Sequence, residues 1–167
     1  MNTGLFPGFK YLVEVLDKDG NVVDSGVEDN IIPIDGMKYI ADSILANTGR
    51  TTPTSSWYVG LLENYTPVAS SLMSDMDTNE ILGYDEATRE AWTHVYDDEY
   101  LITNTASKAE FTFTNGYTVY GAFLSTGSAK SSSSGRLLSA AKFSTARVIA
   151  DGGILRVTIS ITLASTT

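Results

Sequence analysis

Hydrophobic and polar residues alternate most strictly near the end of the chain, where Leu155, Val157, Ile159, Ile161 and Leu163 are interleaved with Arg156, Thr158, Ser160 and Thr162. A period of two puts the apolar set on one face of a β-strand, and such a strand needs a sheet to join and a second layer to cover it. The alternation recurs in Phe9, Tyr11, Val13 and Val15, which Asp19 and Gly20 separate from Val22 and Val23; this predicts a β-hairpin with an Asp-Gly turn. Phe111 and Phe113 alternate with Thr112 and Thr114, and Asn115–Gly116 leads on to the run from Tyr117 to Leu124. That predicts a second hairpin, closed by a type I′ turn. Trp57–Tyr58–Val59–Gly60–Leu61–Leu62 is a compact apolar run and predicts a central strand. Arg136 to Phe143 predicts a strand, Arg147 to Ala150 a further short one, and Asp151–Gly152–Gly153 a turn before the strand from Ile154 to Leu163.

One stretch changes period. Met37, Ile40, Ala41, Ile44 and Leu45 fall on one face at helical spacing, which predicts a short amphipathic helix near residues 36–47, capped by Asp35 and followed by Gly49. Its apolar stripe is expected to cover one end or one face of the sheet. Between Glu63 and Asp98 the chain is acidic and irregular; a short helix near Ser74 to Leu82 and a strand near Ala91 to Tyr96 divide it. A loop region of that length inside a domain is usually functional or in contact with something. Gly127 to Gly135, with Ser131–Ser132–Ser133–Ser134, reads as a flexible loop outside any core. The fold class that results is mainly β, an antiparallel β-sandwich with one short helix. Residues 9–167 form a single domain, and residues 1–8 form an N-terminal arm. The arm carries Leu5, Phe6 and Pro7, which with Phe9 are the candidate partner-binding residues; they fold back on the domain's own core or dock on a neighbouring chain.

Composition narrows the chemistry. The 167 residues suit one domain of ordinary size, and with no cysteine the chain has neither disulfides nor thiolate metal sites. A formal charge of −9 repels phosphate backbones, which argues against nucleic acid and anionic lipid as partners. No apolar run approaches the ~18 residues of a membrane span, and Met1–Asn2–Thr3–Gly4 lacks the basic start of an export signal, so the protein is read as staying where it is made. Asp17, Asp19, Asn21 and Glu28 occupy positions one, three, five and twelve of a calcium-loop pattern, but Val22 stands where that loop needs glycine. His94 is the single histidine, read as a strand residue; alone it makes no histidine metal cluster, and no nucleophile–base pair can be drawn around it. Neither a cofactor nor an enzymatic activity is implied. The aromatics Trp57, Trp92, Tyr84, Tyr96 and Tyr100 motivate a rival reading as a carbohydrate-binding β-sandwich, which requires the rings to be exposed in a row.

The order of the pieces carries a resemblance. The helix is followed by Trp57–Tyr58–Val59–Gly60–Leu61–Leu62, then by Tyr84 and Ala87–Thr88–Arg89–Glu90–Ala91–Trp92, then by Phe111–Thr112–Phe113 and Val119–Tyr120–Gly121–Ala122–Phe123–Leu124. Leu137–Leu138–Ser139–Ala140, Phe143 and the closing alternating strand complete the order. Over roughly residues 35 to 163 this resembles the small structural proteins of tailed-phage virions, in particular head decoration (cement) proteins. The resemblance implies a non-enzymatic β-sandwich, jelly-roll-like, made in the host cytoplasm and bound to the capsid exterior. Its partners are then the major capsid protein and further copies of itself, as a dimer or trimer on a lattice axis. A tail or neck accessory role suits the same composition and fold; hundreds of copies per particle mark decoration, and about six or twelve mark tail or neck.

Overall fold

The computed structural model describes residues 8–46, 51–96 and 101–162. The C-terminal alternating stretch forms β10 (Ile154–Thr162), the central strand in the order of the first sheet. Leu163, at the end of that pattern, lies outside the described residues. On one side β10 pairs with β1 (Phe9–Leu16), which pairs in turn with β2 (Val22–Asp29). On its other side β7 (Ala109–Thr112) and β6 (Leu101–Thr103) stand end to end, β7 along residues 154–157 and β6 along 160–162. The step between them is filled by the buried side chain of Asn104, whose Nδ2 donates to the Val157 carbonyl at 3.2 Å and whose Oδ1 accepts from the Ile159 N–H at 2.7 Å. A buried backbone group left unpaired there would cost about 1–3 kcal/mol. β5 (Val95–Tyr96) ends the sheet beyond β6.

The second sheet has the order β4 (Glu90–Ala91), β3 (Tyr58–Leu62), β8 (Tyr117–Ser125) and β9 (Leu137–Ile149), and every pairing in both sheets is antiparallel. Tyr11, Val13, Phe111, Leu155, Val157 and Ile159 of the first sheet share one core with Val59, Leu61, Val119, Ala122, Leu124 and Ala141 of the second. This is an antiparallel β-sandwich. The second sheet is also covered on its outer side, where Leu62, Phe123, Leu137 and Ala140 pack under Met73 and Met76 of α2 (Met73–Thr78). Burial on both faces is why Tyr58–Leu62 and Ala122–Leu124 read as unbroken apolar runs, whereas β10 alternates.

The first predicted hairpin is present: β1 and β2 pair, and Gly20 adopts φ +83° in the turn between them. The second is not. β7 belongs to the first sheet and β8 to the second, so residues 113–116 carry the chain across the sandwich, and neither Asn115 nor Gly116 has the positive φ of a type I′ turn. The partner of this segment is instead the Gly152–Gly153 turn: the Phe113 N–H donates to the Gly153 carbonyl at 3.0 Å and the Gly152 N–H to the Phe113 carbonyl at 2.9 Å. The strand expected from Ala91 to Tyr96 is two short strands, with His94 in the link between them. Arg136–Phe143 and Arg147–Ala150 are joined in one strand, β9, yet its pairing breaks where two strands were expected. Gly121 faces Lys142 and Val119 faces Arg147, leaving residues 143–146 opposite Tyr120 alone.

The predicted helix is α1 (Ile34–Ile44), but its orientation reverses the expectation. Gly36, Tyr39 and Ser43 are buried, with Ile40 partly so, while Met37, Ile44 and Leu45 are 51%, 62% and 79% exposed and Ala41 is exposed as well. Close approach explains this. Ile31 bridges to Ala140 at the edge of β9, and α1 is then held so near that strand that a Cβ on Gly36 would run into the Leu137 and Leu138 carbonyls. Asp35 does not cap the helix; the N-cap is Pro33, and the Asp35 carboxylate accepts from the Leu137 N–H at 3.0 Å and from Arg136 at 2.7 Å. Gly49 lies outside the described residues.

The seat of α1 can be tested by sign. Helix propensity alone makes Gly36→Ala stabilising by about 1 kcal/mol. The clash with two backbone carbonyls makes it destabilising by about 1–3 kcal/mol, and urea denaturation of the variant is expected to show the loss.

Candidate functional site

Of the candidate partner-binding residues, Leu5, Phe6 and Pro7 lie outside the described residues. Phe9 is 3% exposed, faces inward opposite Ile161, and lines an apolar cavity of about 280 Å³ with Ile32, Tyr39, Trp57, Trp92 and Ile102. It is a wall of the core rather than an exposed anchor.

The calcium pattern does not assemble. Asp17 Oδ1 accepts from the backbone N–H groups of Asp19 and Asn21, each at 2.9 Å, and Asn21 Nδ2 donates to Oδ2 at 3.1 Å; these bonds, the Asn21 side chain foremost, hold the carboxyl below its usual range. Glu28 sits in β2 facing inward, and its carboxylate accepts from Arg147 Nη2 at 2.7 Å and from the Ser144 N–H at 2.7 Å. Among the described residues no group of three or more His, Cys, Asp or Glu could hold a metal ion.

The aromatics proposed as a sugar platform are mostly internal. Trp92 and Tyr84 are buried, and Trp57 is partly buried against the core. The Trp92 indole donates across the sandwich to the Ile159 carbonyl at 3.2 Å, and His94 stacks on that indole at 4.1 Å. Tyr96 is exposed on β5, and Tyr100 lies outside the described residues. No exposed row forms from these rings among the described residues, so the observation that motivated a carbohydrate module is absent there.

Buried ionic chemistry organises the acidic excursion. Residues 79–81 and β4 both run beside β3: the Glu63 N–H donates to the Asn79 carbonyl, the Ile81 N–H to the Leu61 carbonyl, and Val59 faces Glu90. Between these two attachments the chain loops outward and returns at Arg89. Both side chains of the Arg89–Glu80 pair are wholly buried, and the pair is bidentate, Nε to Oε1 at 2.7 Å and Nη2 to Oε2 at 2.8 Å. The guanidinium lies 5.0 Å from the centre of the Phe123 ring, and that ring fills the space a side chain at Gly60 would need. The remaining donors reach the serine-rich loop, Nη1 to the Gly127 carbonyl at 3.0 Å and Nη2 to the Ser132 carbonyl at 2.9 Å, while the Ser131 N–H donates to Glu80 Oε2 at 3.0 Å. Lys130 adds its amine over the Tyr84 ring and donates to the Tyr84 carbonyl at 2.8 Å. The loop expected to be flexible is therefore fastened to the domain.

A second ionic seam closes the β2 side. Arg147 of β9 pairs with Glu28 and, at 3.0 Å, with Asp24, both on the inner face of β2. Its guanidinium crosses Gly26, where a Cβ would collide with Nη2. Nothing in alternation or motif pointed to Glu80, Arg89, Glu28 or Arg147 as partners. The available signal was that Arg89 is the sole lysine or arginine between Arg50 and Lys108, inside a stretch rich in acids.

Two outcomes follow from this chemistry. Arg89→Ala leaves a buried carboxylate without its partner and is expected to lower stability by about 3–5 kcal/mol. The paired change Arg89→Met with Glu80→Leu should lose less than the single change, and limited proteolysis should cut residues 126–136 in the single variant first. Glu90 has its pKa raised, first by burial and then by Glu86 and Glu110. Its ionised form is thus disfavoured on folding: its contribution is most favourable below the unfolded carboxyl range and is lost as pH rises through the raised folded value. Glu90→Gln should therefore raise Tm slightly at pH 7, with the difference vanishing below about pH 4 in thermal melts.

Compared with protein-family models, curated proteins and solved structures, the chain finds no match, so its function is argued from the geometry above.

Proposed function

We propose that this chain is a non-enzymatic decoration (cement) protein of a tailed-phage head, bound in many copies to the outside of the capsid with the major capsid protein as its partner. The observation that carries the reading is an inversion of the usual arrangement. Glu80, Arg89, Glu28 and Arg147 are buried and committed to fastening loops and sheet edges, while Val22, Val23 and Val27 on β2 and Ile34, Met37 and Leu45 on α1 stand outside. Large apolar side chains gathered on an exterior are the usual mark of a docking surface. The Arg147 pairs hold β2 to β9, and the Arg89–Glu80 pair holds the serine-rich loop to the second sheet, so the frame that carries these residues is fixed.

The resemblance in the order of pieces supports the same reading, since those pieces include the strands β3, β8, β9 and β10 that form the frame. A formal charge of −9 suits a protein that must remain dispersed at high copy number and must not compete for packaged DNA. Repetition on a lattice turns weak single contacts into strong retention. A tail or neck role is the competing placement, and stoichiometry separates the two.

The test is co-sedimentation of the purified chain with expanded capsid shells, followed by quantitation of bound copies. Saturable binding at hundreds of copies per shell, with a rise in the shell's melting temperature, is the expected result. No binding at saturating concentration, or occupancy of about six or twelve, overturns it.

A further inference from the structure

We propose that α1 is a self-association surface, on which two copies of this chain pack their helices antiparallel about a two-fold axis. The inference stands on the helix itself and goes beyond the capsid reading. α1 buries Gly36, Tyr39 and Ser43 and exposes Ile34, Met37 and Ala41, with Leu45 exposed at its C-cap. Spacings of three, four and four residues put these side chains on one stripe, the pattern by which one helix packs along another. The small residue Ala41 lies near the middle, where two helices must approach most closely.

Charge and symmetry select the occupant. Lys38 and Asp42 are paired on one flank of the stripe, and on the same flank, nearer the helix start, Asp35 is paired with Arg136 at 2.7 Å. The apolar stripe is thus locally neutral on a chain of charge −9, so two copies can meet here without the repulsion that other faces would bring. An antiparallel pair with its axis between Tyr39 and Ile40 brings the Ile34 end of one helix to the Leu45 end of the other and each Met37 to the opposite Ala41. The same axis sets each Lys38 across from the other copy's Asp42, so the flanking charges are self-complementary. Closed two-fold contacts of this kind are the commonest form of homo-oligomer.

The surface extends beyond the helix. The Ile34 N–H donates to the Ala69 carbonyl at 2.8 Å, which ties to α1 the loop bearing Val68 and Leu72, 49% and 51% exposed. An 11-residue helix is about 16 Å long, so even with this loop the contact is smaller than the ~1,200 Å² from which stable specific interfaces start. The dimer is accordingly a weak one, with a dissociation constant roughly in the micromolar range.

Sedimentation equilibrium of the purified chain, from low to high micromolar concentration, is expected to show a monomer–dimer equilibrium. Ala41→Glu should abolish it while far-UV circular dichroism and thermal unfolding remain those of the folded parent, because the replaced side chain is exposed. Lys38→Asp and Asp42→Lys should each weaken self-association by roughly tenfold or more. Mixed in equal amounts they should recover it as a heterodimer, because one copy then presents two lysines on this flank and the other copy two aspartates. A parent that stays monomeric throughout, a dimer indifferent to Ala41→Glu, or a mixture that fails to recover overturns the proposal. A strict monomer that nevertheless saturates capsid shells assigns the stripe to the lattice and leaves the proposed function standing, whereas a dimer that ignores the shells does the reverse.

Discussion

The constraint on which the outer part of this molecule depends is a single guanidinium removed from water. Arg89 has to satisfy its planar fork of donors inside the protein, and it does so through both oxygens of Glu80 and two carbonyls of the serine-rich loop. Beneath it the Phe123 ring fills the space over Gly60, so a position without a side chain, an aromatic face and a guanidinium follow one another, with the Glu80 carboxylate bonded to the guanidinium's edge. Such a pair roughly breaks even in free energy against well-packed apolar groups. What it supplies here is a unique place for two loops that have little apolar content of their own.

Arg147 plays the corresponding part where the two sheets meet at β2. That edge strand sets the buried Glu28 and the half-exposed Asp24 on the side facing Arg147, and without the cation between them the two carboxylates would repel each other. Inward charges on an edge strand also discourage unplanned pairing with other chains. The inside of the molecule is thus anchored by charge at two places, while Val22, Val23 and Val27 on β2 and Ile34 and Met37 on α1 stand on its outside.

How far the sequence could be read depends on whether a feature is local. The alternation of β1 and β10 and the glycine turn after β1 are properties of consecutive residues, and they appear where the pattern puts them. The helix was legible for the same reason, but which face it buries was not: that is decided by how closely Gly36 meets the β9 carbonyls, and hydrophobic periodicity carries no record of such an approach. Asn115–Gly116 misled because a turn signal says only that the chain bends. Whether the flanking strands pair with each other depends on competing partners, and β10 and the Gly152–Gly153 turn claimed β7 and Phe113. The candidate residues fared by the same rule. Asp17, Asp19 and Asn21 are close in sequence and do interact, while Glu28 was drawn away to an arginine far along the chain.

The pairing of β1 with β10 has a further bearing on how the molecule comes into being. Phe9 lies beside Ile161, so the first described strand gains its second neighbour only once residues 154–162 have been made. Until then the β1–β2 ribbon can form locally, yet Tyr11, Val13 and Val15 have nothing to bury against. Contacts this distant along a chain make folding slow, and they leave a sticky half-sheet exposed in the interval. The charged residues interspersed along that ribbon, Lys10, Glu14, Asp24 and Asp29, are well placed to keep the nascent half soluble while it waits.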